Sequence, residues 1–340
     1  MPLIDPFGRA ITYLRISVTD RCNLRCTYCM PDHPHHVLRE DVLRFEEIDR
    51  LVRIAVMLGW KKVRLTGGEP LVRKDCVELV RLLARHKGPG STGNRLEQLV
   101  MSTNGVLLGR YAPALREAGL DRVNVSLDTL DPVRFHKLTG YNRFREVMDG
   151  LEAAEAADLL PLKINVVLVR GETESEFFDF IDLARSRPWD IRFIEFMPFA
   201  GNGWSREKVL TSDDLRQRLR DRYVLTTVEA APHGGPAKTV TSPGWKGSVS
   251  FISPISDRAF CTRCNRVRLT SEGLLRGCLL NENEIDFRAV LRQGIDDEAL
   301  IALFRKAIGL KPEEHPYHRA MSEGVLVGPV DGRSMHRIGG

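Results

Sequence analysis

Six of the seven cysteines in this 340-residue chain fall into two triplets. Cys22, Cys26 and Cys29 are separated by three residues and then by two, while Cys261 and Cys264 form a CxxC pair joined by Cys278 after thirteen intervening residues. Such clustering marks ligands rather than a disulfide framework, which belongs to small secreted chains. Three thiolates can each hold one corner iron of a cubane cluster and leave the fourth iron open to a small chelating molecule. Structural tetrahedral zinc instead recruits a fourth protein ligand. For the first triplet that ligand would be His33, His35 or His36; for the second, a distant histidine or carboxylate. Spacing alone leaves both readings open. The seventh cysteine, Cys76, lies in an apolar helical pattern and is expected to be a buried helix residue.

Two further groups could act beside the triplets. Gly67-Gly68-Glu69-Pro70 combines glycines that let backbone approach a ligand with a carboxylate able to pair with an ammonium group. Arg266, Arg268 and Thr270 alternate with Val267 and Leu269, which places two planar guanidinium forks on one strand face next to the second triplet, an arrangement suited to phosphate. An exposed basic edge strand would give the same pattern.

The elements that must position these groups form a regular series. Residues 10 to 200 alternate short β-rich runs with amphipathic helical stretches about six times, as a parallel α/β architecture requires. The expected strands are Thr12–Val18, Lys62–Thr66, Gln98–Ser102, Arg122–Leu127, Leu162–Val169 and Ile191–Met197. Helical spacing is clear around 46–55, 75–83, 143–156 and 175–184. Six units make three quarters of a (βα)8 barrel, so the expected fold is α/β, an incomplete (βα)6 TIM-like barrel with a C-terminal α+β extension closing its opening. The division expected is 1–205 for the partial barrel and 206–340 for a C-terminal region carrying the second triplet. His86–Asn94 reads as a surface insertion and 230–247 as loop or extended chain.

Strand alternation says what such a barrel would hold. Arg15 and Ser17 oppose Leu14 and Ile16; Arg64 opposes Val63 and Leu65; Asn124, Ser126 and Asp128 oppose Val123, Val125 and Leu127; Lys163 and Asn165 oppose Leu162 and Ile164. Ser102 and Asn104 continue the series. With the apolar faces against the outer helices, the polar faces converge in the lumen. Arg15, Arg64 and Lys163 buried there dry and unpaired would each cost several kcal/mol. A polar cavity for a charged ligand is therefore expected. A net charge of +5 admits nucleic acid, but no basic-aromatic alternation offers a stacking platform, so a small anion is preferred. With no long apolar run and no basic segment before an apolar stretch at Met-Pro-Leu-Ile-Asp-Pro, neither membrane nor nucleic acid is an expected partner, and a cytoplasmic location is.

The CxxxCxxC spacing, with GGEP one unit later, resembles the radical S-adenosylmethionine superfamily. The run from Tyr13 to Cys22, the GGEP loop and Cys261-x-x-Cys264-Asn265-Arg266-Val267-Arg268-Leu269-Thr270 with Cys278 together resemble the GTP 3′,8-cyclases of molybdenum cofactor biosynthesis, over nearly the whole chain. The resemblance implies two [4Fe-4S] clusters, one on each triplet, the second with an open iron that contacts guanine. It implies S-adenosylmethionine contacts at Tyr28, Gly67, Gly68, Glu69, Ser126 and Met197. GTP contacts would be Arg15, Arg64, Ser102, Lys163, Arg266 and Arg268, with Arg192 added although its face-mates Ile194 and Phe196 are apolar. Ser102 stands where the family also uses threonine. Arg266, Arg268 and the terminal Gly339 and Gly340 would be catalytic, a frayed terminus being the bland reading of the glycines.

The implied reaction is cyclisation of GTP to (8S)-3′,8-cyclo-7,8-dihydroguanosine 5′-triphosphate, initiated by reductive cleavage of S-adenosylmethionine. It calls for an external low-potential electron donor and a downstream cyclic pyranopterin monophosphate synthase, and is compatible with a homodimer. The alternatives are another radical S-adenosylmethionine enzyme with an auxiliary cluster, such as a peptide maturase, or a zinc-dependent nucleic-acid-binding protein.

Overall fold

The computed structural model describes residues 2–30, 34–88, 93–199, 202–229, 235–318 and 335–339. The expected alternation is present: β1 (Tyr13–Ser17), α1 (Phe45–Met57), β2 (Lys62–Thr66), α2 (Cys76–Ala84), β3 (Gln98–Thr103), α3 (Leu108–Glu117), β4 (Arg122–Ser126), α4 (Pro132–Thr139), α5 (Phe144–Ala156), β5 (Leu162–Val167), α6 (Phe177–Ser186) and β6 (Trp189–Ile194). Two helices lacked a clear periodic signal. The first, α3, carries Pro113 in its interior, which ordinarily marks a break. The other, α4, is a short helix started by Pro132 and capped by Asp131, whose carboxylate accepts from the Val133 and Arg134 N–H groups; local capping rather than an apolar stripe defines it. β6 lies earlier than expected, so Phe196 and Met197 sit on the loop beyond it.

The C-terminal region supplies α7 (Ser212–Arg220), β7 (Thr226–Val228), β8 (Lys238–Thr241), β9 (Ser248–Ile252), β10 (Arg266–Leu269), β11 (Leu274–Arg276), β12 (Glu284–Asp286), α8 (Phe287–Arg292), α9 (Asp297–Gly309) and α10 (Met335–Ile338). Thr211 and Asp214 exchange hydrogen bonds to form a capping box before α7, as the Thr-Ser-Asp-Asp run suggests. Residues 89–92 of the expected insertion and 230–234 of the expected loop lie outside the described residues.

One curled sheet organises the molecule. Its order among the described residues is β12-β11-β10-β1-β2-β3-β4-β5-β6-β9-β8-β7. The central eight strands, from β10 to β9, are all parallel; the outer two on each side are antiparallel. The six βα units thus form a partial barrel, and the extension meets its opening by adding strands at both edges, β10 beside β1 and β9 beside β6. A parallel sheet needs both faces covered. On the outer face Leu14, Leu65, Val125, Ile164 and Phe193 join the helices in one apolar core, each buried side chain contributing about 1.5–3 kcal/mol. The inner face is polar.

Candidate active site

Register aligns the inward residues in rows. Arg268, Arg15, Arg64, Val100 and Arg122 are successive neighbours across β10, β1, β2, β3 and β4. A second row runs Ser102, Asn124, Lys163, Asp190 and Ser248 across β3, β4, β5, β6 and β9. Apart from Val100, these rows line a cavity of about 530 Å³ that also receives Tyr28, Ser126, Met197, Arg192, Arg266, Cys261, Cys264 and Cys278. The polar faces are therefore not a solvated outer surface: Arg64 is 4% exposed and Arg268 6%. Arg192 lies in the cavity beside Ile194 and Phe196. The basic pair of β10 is no free edge, because that strand is paired on both sides.

Cations dominate this enclosure. Eight lysine and arginine side chains line it, against four aspartates and glutamates. Burial, with Arg268, Arg64 and Arg266 nearby, drives the Arg15 guanidinium well below its ordinary value despite the opposing pull of Tyr13. Burial lowers Lys163 to about 8 and Arg122 to about 10. Burial alone would raise the Tyr13 phenol, but Arg64, Lys62 and Arg15 pull it down to about 6. Asp190 is the internal counterweight, accepting from Lys163 at 2.9 Å, Arg192 at 2.6 Å and Ser250 at 2.6 Å; despite burial, these partners hold its carboxyl well below the usual range. Arg64 donates to Ser102 at 2.8 Å and to the Tyr13 hydroxyl. Arg122 Nε, Asn124 Oδ1, Asn165 Oδ1, Arg266 Nε and Arg268 Nε are buried without hydrogen-bond partners among the described residues. Such groups are costly unless a ligand satisfies them, and most are donors suited to an anion.

Sequence reasoning missed Lys62, Arg122 and Asp190. Lys62 and Arg122 each lie two residues before a residue that the alternation assigned to the lumen, so carrying the same period one step down the strand would have found them; Asp190 lies two before Arg192, whose apolar face-mates kept it out of that series. Lys62 supplies a prediction. Burial pushes its ammonium from the ordinary 10.5 to about 7. Between those values the unfolded chain binds the proton and the folded chain does not, so this group makes stability rise with pH; below about 7 its cost is present in full. Urea titrations of substrate-free protein from pH 7 to 10 are expected to show a steeper rise in unfolding free energy for the parent than for Lys62→Met. Equal slopes would contradict a buried, depressed Lys62.

The first triplet stands on the loop after β1, beyond the cavity wall formed by Tyr28. All three cysteines are free and half-buried. Burial and the neighbouring Cys29, Asp128 and Cys22 drive the Cys26 thiol well up; burial, Cys22 and Asp128 push Cys29 up to about 12. Three neighbouring thiols that resist ionisation are a donor set that a cationic iron cluster satisfies. The Leu24 N–H and the Asn104 amide both point at the Cys22 sulfur. His36, one zinc-ligand alternative, instead faces the Asp20 carboxylate at 3.2 Å; His33 lies outside the described residues.

The GGEP loop packs backbone to backbone on the chain leading to that triplet. Gly68 N–H donates to the Thr19 carbonyl at 2.7 Å and Glu69 N–H to the Arg21 carbonyl at 2.8 Å. A Cβ at Gly67 would lie 2.6 Å from Thr19 O, and one at Gly68 2.5 Å from Arg21 O. Glu69 is fully buried, and its carboxylate accepts from Leu71 N–H, Thr103 Oγ1 and Asn104 N–H; burial nevertheless raises it to about 7. This glutamate ties the loops after β2 and β3 together. Neither glycine nor Glu69 lines the cavity. Gly68→Ala is expected to weaken S-adenosylmethionine binding about a hundredfold through displacement of the cysteine loop, measured by equilibrium dialysis; unchanged affinity would show that the close approach is dispensable.

All three cysteines of the second triplet reach the cavity. Lys311 donates towards Cys264 Sγ at 3.5 Å, and Arg266 lies 3.9 Å from it. Burial would raise the Cys264 thiol, yet these two cations bring it down to about 6. The set therefore fits a second thiolate-bound cluster facing the arginines. At the C-terminus, Gly339 has φ +77°, and a Cβ there would meet Thr66 Oγ1 at 2.7 Å and Ser17 Cβ at 2.9 Å. Its carbonyl accepts from Arg15 at 3.5 Å, so it reaches the barrel rim. Gly340 lies outside the described residues.

Comparison with known proteins gives the family. Residues 16–184 match the Radical SAM superfamily and residues 189–317 match Molybdenum Cofactor Synthesis C. GTP 3′,8-cyclase of Moorella thermoacetica is 44% identical over 337 residues, covering 99% of each chain. That of Heliobacterium modesticaldum is 46% identical, covering 99% of this chain and 100% of the relative. A solved structure of Streptococcus suis SuiB bound to S-adenosylmethionine shares the fold, with TM-score 0.62 and 14% identity over 95% of this chain and 76% of that one. The chain therefore belongs to the radical SAM superfamily and, within it, to the GTP 3′,8-cyclase family of molybdenum cofactor biosynthesis.

Proposed function

We propose that the cavity between the two cysteine triplets binds GTP and directs its radical cyclisation to (8S)-3′,8-cyclo-7,8-dihydroguanosine 5′-triphosphate, a lyase reaction early in molybdenum cofactor biosynthesis. One observation carries the proposal: an enclosure with eight basic and four acidic side chains separates two sets of cluster-competent thiols. That net excess complements a triphosphate, which bears roughly four negative charges.

The residues divide by position. Arg15, Arg64 and Arg192 hold phosphate oxygens together with Lys163 by charge-assisted hydrogen bonds. Asp190 keeps Lys163 and Arg192 fixed between turnovers, and Ser102 aims Arg64. Tyr28, Ser126 and Met197 line the side nearest the first triplet and contact S-adenosylmethionine; Gly67, Gly68 and Glu69 position the loop beneath it. Tyr28 is itself oriented by a hydrogen bond to Asp128. Cys22, Cys26 and Cys29 hold one [4Fe-4S] cluster, and Cys261, Cys264 and Cys278 the other, beside which Arg266 and Arg268 place the guanine end. The clusters and S-adenosylmethionine supply one-electron cleavage and a hydrogen-abstracting radical; the protein supplies placement and exclusion of water. Gly339 enters without a side chain where bulk would meet Ser17 and Thr66, and we assign Gly340 to the same catalytic tail.

Residues 1–205 form the partial barrel with the first cluster site and the triphosphate contacts, and 206–340 carry the second cluster and the guanine end. The reaction needs an external low-potential electron donor and hands its product to a cyclic pyranopterin monophosphate synthase, with the enzyme placed in the cytoplasm and free to act as a homodimer. No helix among the described residues is long and apolar enough to cross a membrane. GTP deuterated at ribose C3′ is expected to transfer its label into 5′-deoxyadenosine, read by mass spectrometry. Unlabelled 5′-deoxyadenosine formed at the rate of product would overturn the proposed orientation.

A further inference from the structure

The mechanism leaves unused a pair of buried histidines against the second triplet. Cys261 Sγ and one ring nitrogen each of His315 and His318 lie within 4.8 Å of one another. All three residues are at least nine-tenths buried. His315 Nε2 donates to the Pro254 carbonyl at 2.6 Å, which fixes the tautomer and leaves the Nδ1 lone pair exposed to the group. That Nδ1, and both ring nitrogens of His318, have no hydrogen-bond partner among the described residues. The nearest carboxylate, Glu314, stays 3.8 Å from His318 Nδ1, beyond hydrogen-bond reach. One thiolate and two imidazoles suit a borderline divalent transition-metal cation, zinc or ferrous iron.

We propose that before its second cluster is installed the chain holds one such cation on Cys261, His315 and His318. The two occupancies exclude each other, because both use the Cys261 thiolate. Cluster assembly must therefore displace the cation, and excess zinc blocks installation of the second cluster.

The test uses the full-length chain, stripped of iron by chelation, with Cys22, Cys26 and Cys29 replaced by serine so that the first triplet is silent. Co²⁺ serves as the spectroscopic probe, followed by displacement with Zn²⁺ and with Fe²⁺. A single equivalent with four-coordinate visible bands and the charge-transfer intensity of one thiolate is expected. Adding Cys264→Ser and Cys278→Ser should preserve binding, whereas His315→Gln, or His318→Gln alone, should weaken it about tenfold or more, with circular dichroism confirming the fold. Three-thiolate intensity that disappears in Cys264→Ser, or affinity indifferent to both histidine variants, would overturn the site. Zn²⁺ should displace Co²⁺ at about one equivalent and Fe²⁺ only in excess; Co²⁺ that resists excess Zn²⁺ would overturn the site.

Discussion

Replacing Cys26 with serine is expected to lower 5′-deoxyadenosine formation by about three orders of magnitude or more, while iron content falls to about half. The loop cannot compensate by moving. Arg25 N–H donates to the Thr139 carbonyl at 2.8 Å and Thr27 N–H to the Leu138 carbonyl at 3.0 Å, pinning both neighbours of Cys26 to the end of α4. Cys29 and Met30 N–H groups close the turn on the Cys26 carbonyl at 3.0 Å. Serine preserves these backbone bonds and nearly the same volume, so the circular dichroism spectrum should be unchanged. The remaining iron should sit on the second triplet, and electron paramagnetic resonance of the reduced variant should show one cluster type. Full activity in this variant would remove Cys26 from the initiating site.

The second large effect is expected at β10. Arg268→Met should reduce GTP cyclisation by about a hundredfold to a thousandfold, the scale at which a preorganised charge partner acts. Arg268 is nearly fully buried, and burial first and Arg266 second bring its guanidinium down to about 10. Without ligand that charge is a liability. An apolar side chain of similar length replaces a buried cation without loss, or with a gain, when no partner is left stranded. The substrate-free melting temperature should therefore hold or rise, while the additional stabilisation by GTP shrinks. Cleavage of S-adenosylmethionine by dithionite without GTP should persist, because the first triplet is untouched. A fall in substrate-free stability together with unchanged GTP affinity would make Arg268 a structural residue.

Much of this arrangement was legible in the chain itself, for reasons that differ by residue. The six strands of the partial barrel announced themselves because a parallel strand packed on helices outside and facing a polar lumen must alternate, as Leu14-Arg15-Ile16 and Val63-Arg64-Leu65 do. Arg266 and Arg268 obeyed the same period. The strand β9 was overlooked although Ser248-Val249-Ser250-Phe251 alternates as the barrel strands do, because it carries no charge and lies far along the chain from its neighbour β6. Asp190 was hidden by standing next to Trp189 at a strand start that was placed at Ile191. Glu69 illustrates a different limit. Its motif was visible, but the three hydrogen bonds that make it a tie between loops come from Leu71, Thr103 and Asn104, and no local pattern reports Thr103 and Asn104. His315 and His318 are not singled out by the sequence, which offers the second triplet only an unspecified distant histidine or carboxylate, because 36 residues separate Cys278 from the helical turn that carries them back.

The most direct measurement is a single anaerobic reaction of the reconstituted protein with S-adenosylmethionine, dithionite and GTP, scored for both products by mass spectrometry. A cavity that joins two cluster sites around GTP predicts 5′-deoxyadenosine and 3′,8-cyclised GTP in equal amounts, with neither the cyclised product nor the accelerated cleavage when ATP replaces GTP. Cleavage indifferent to GTP, with no cyclised nucleotide from protein carrying both clusters, would contradict it.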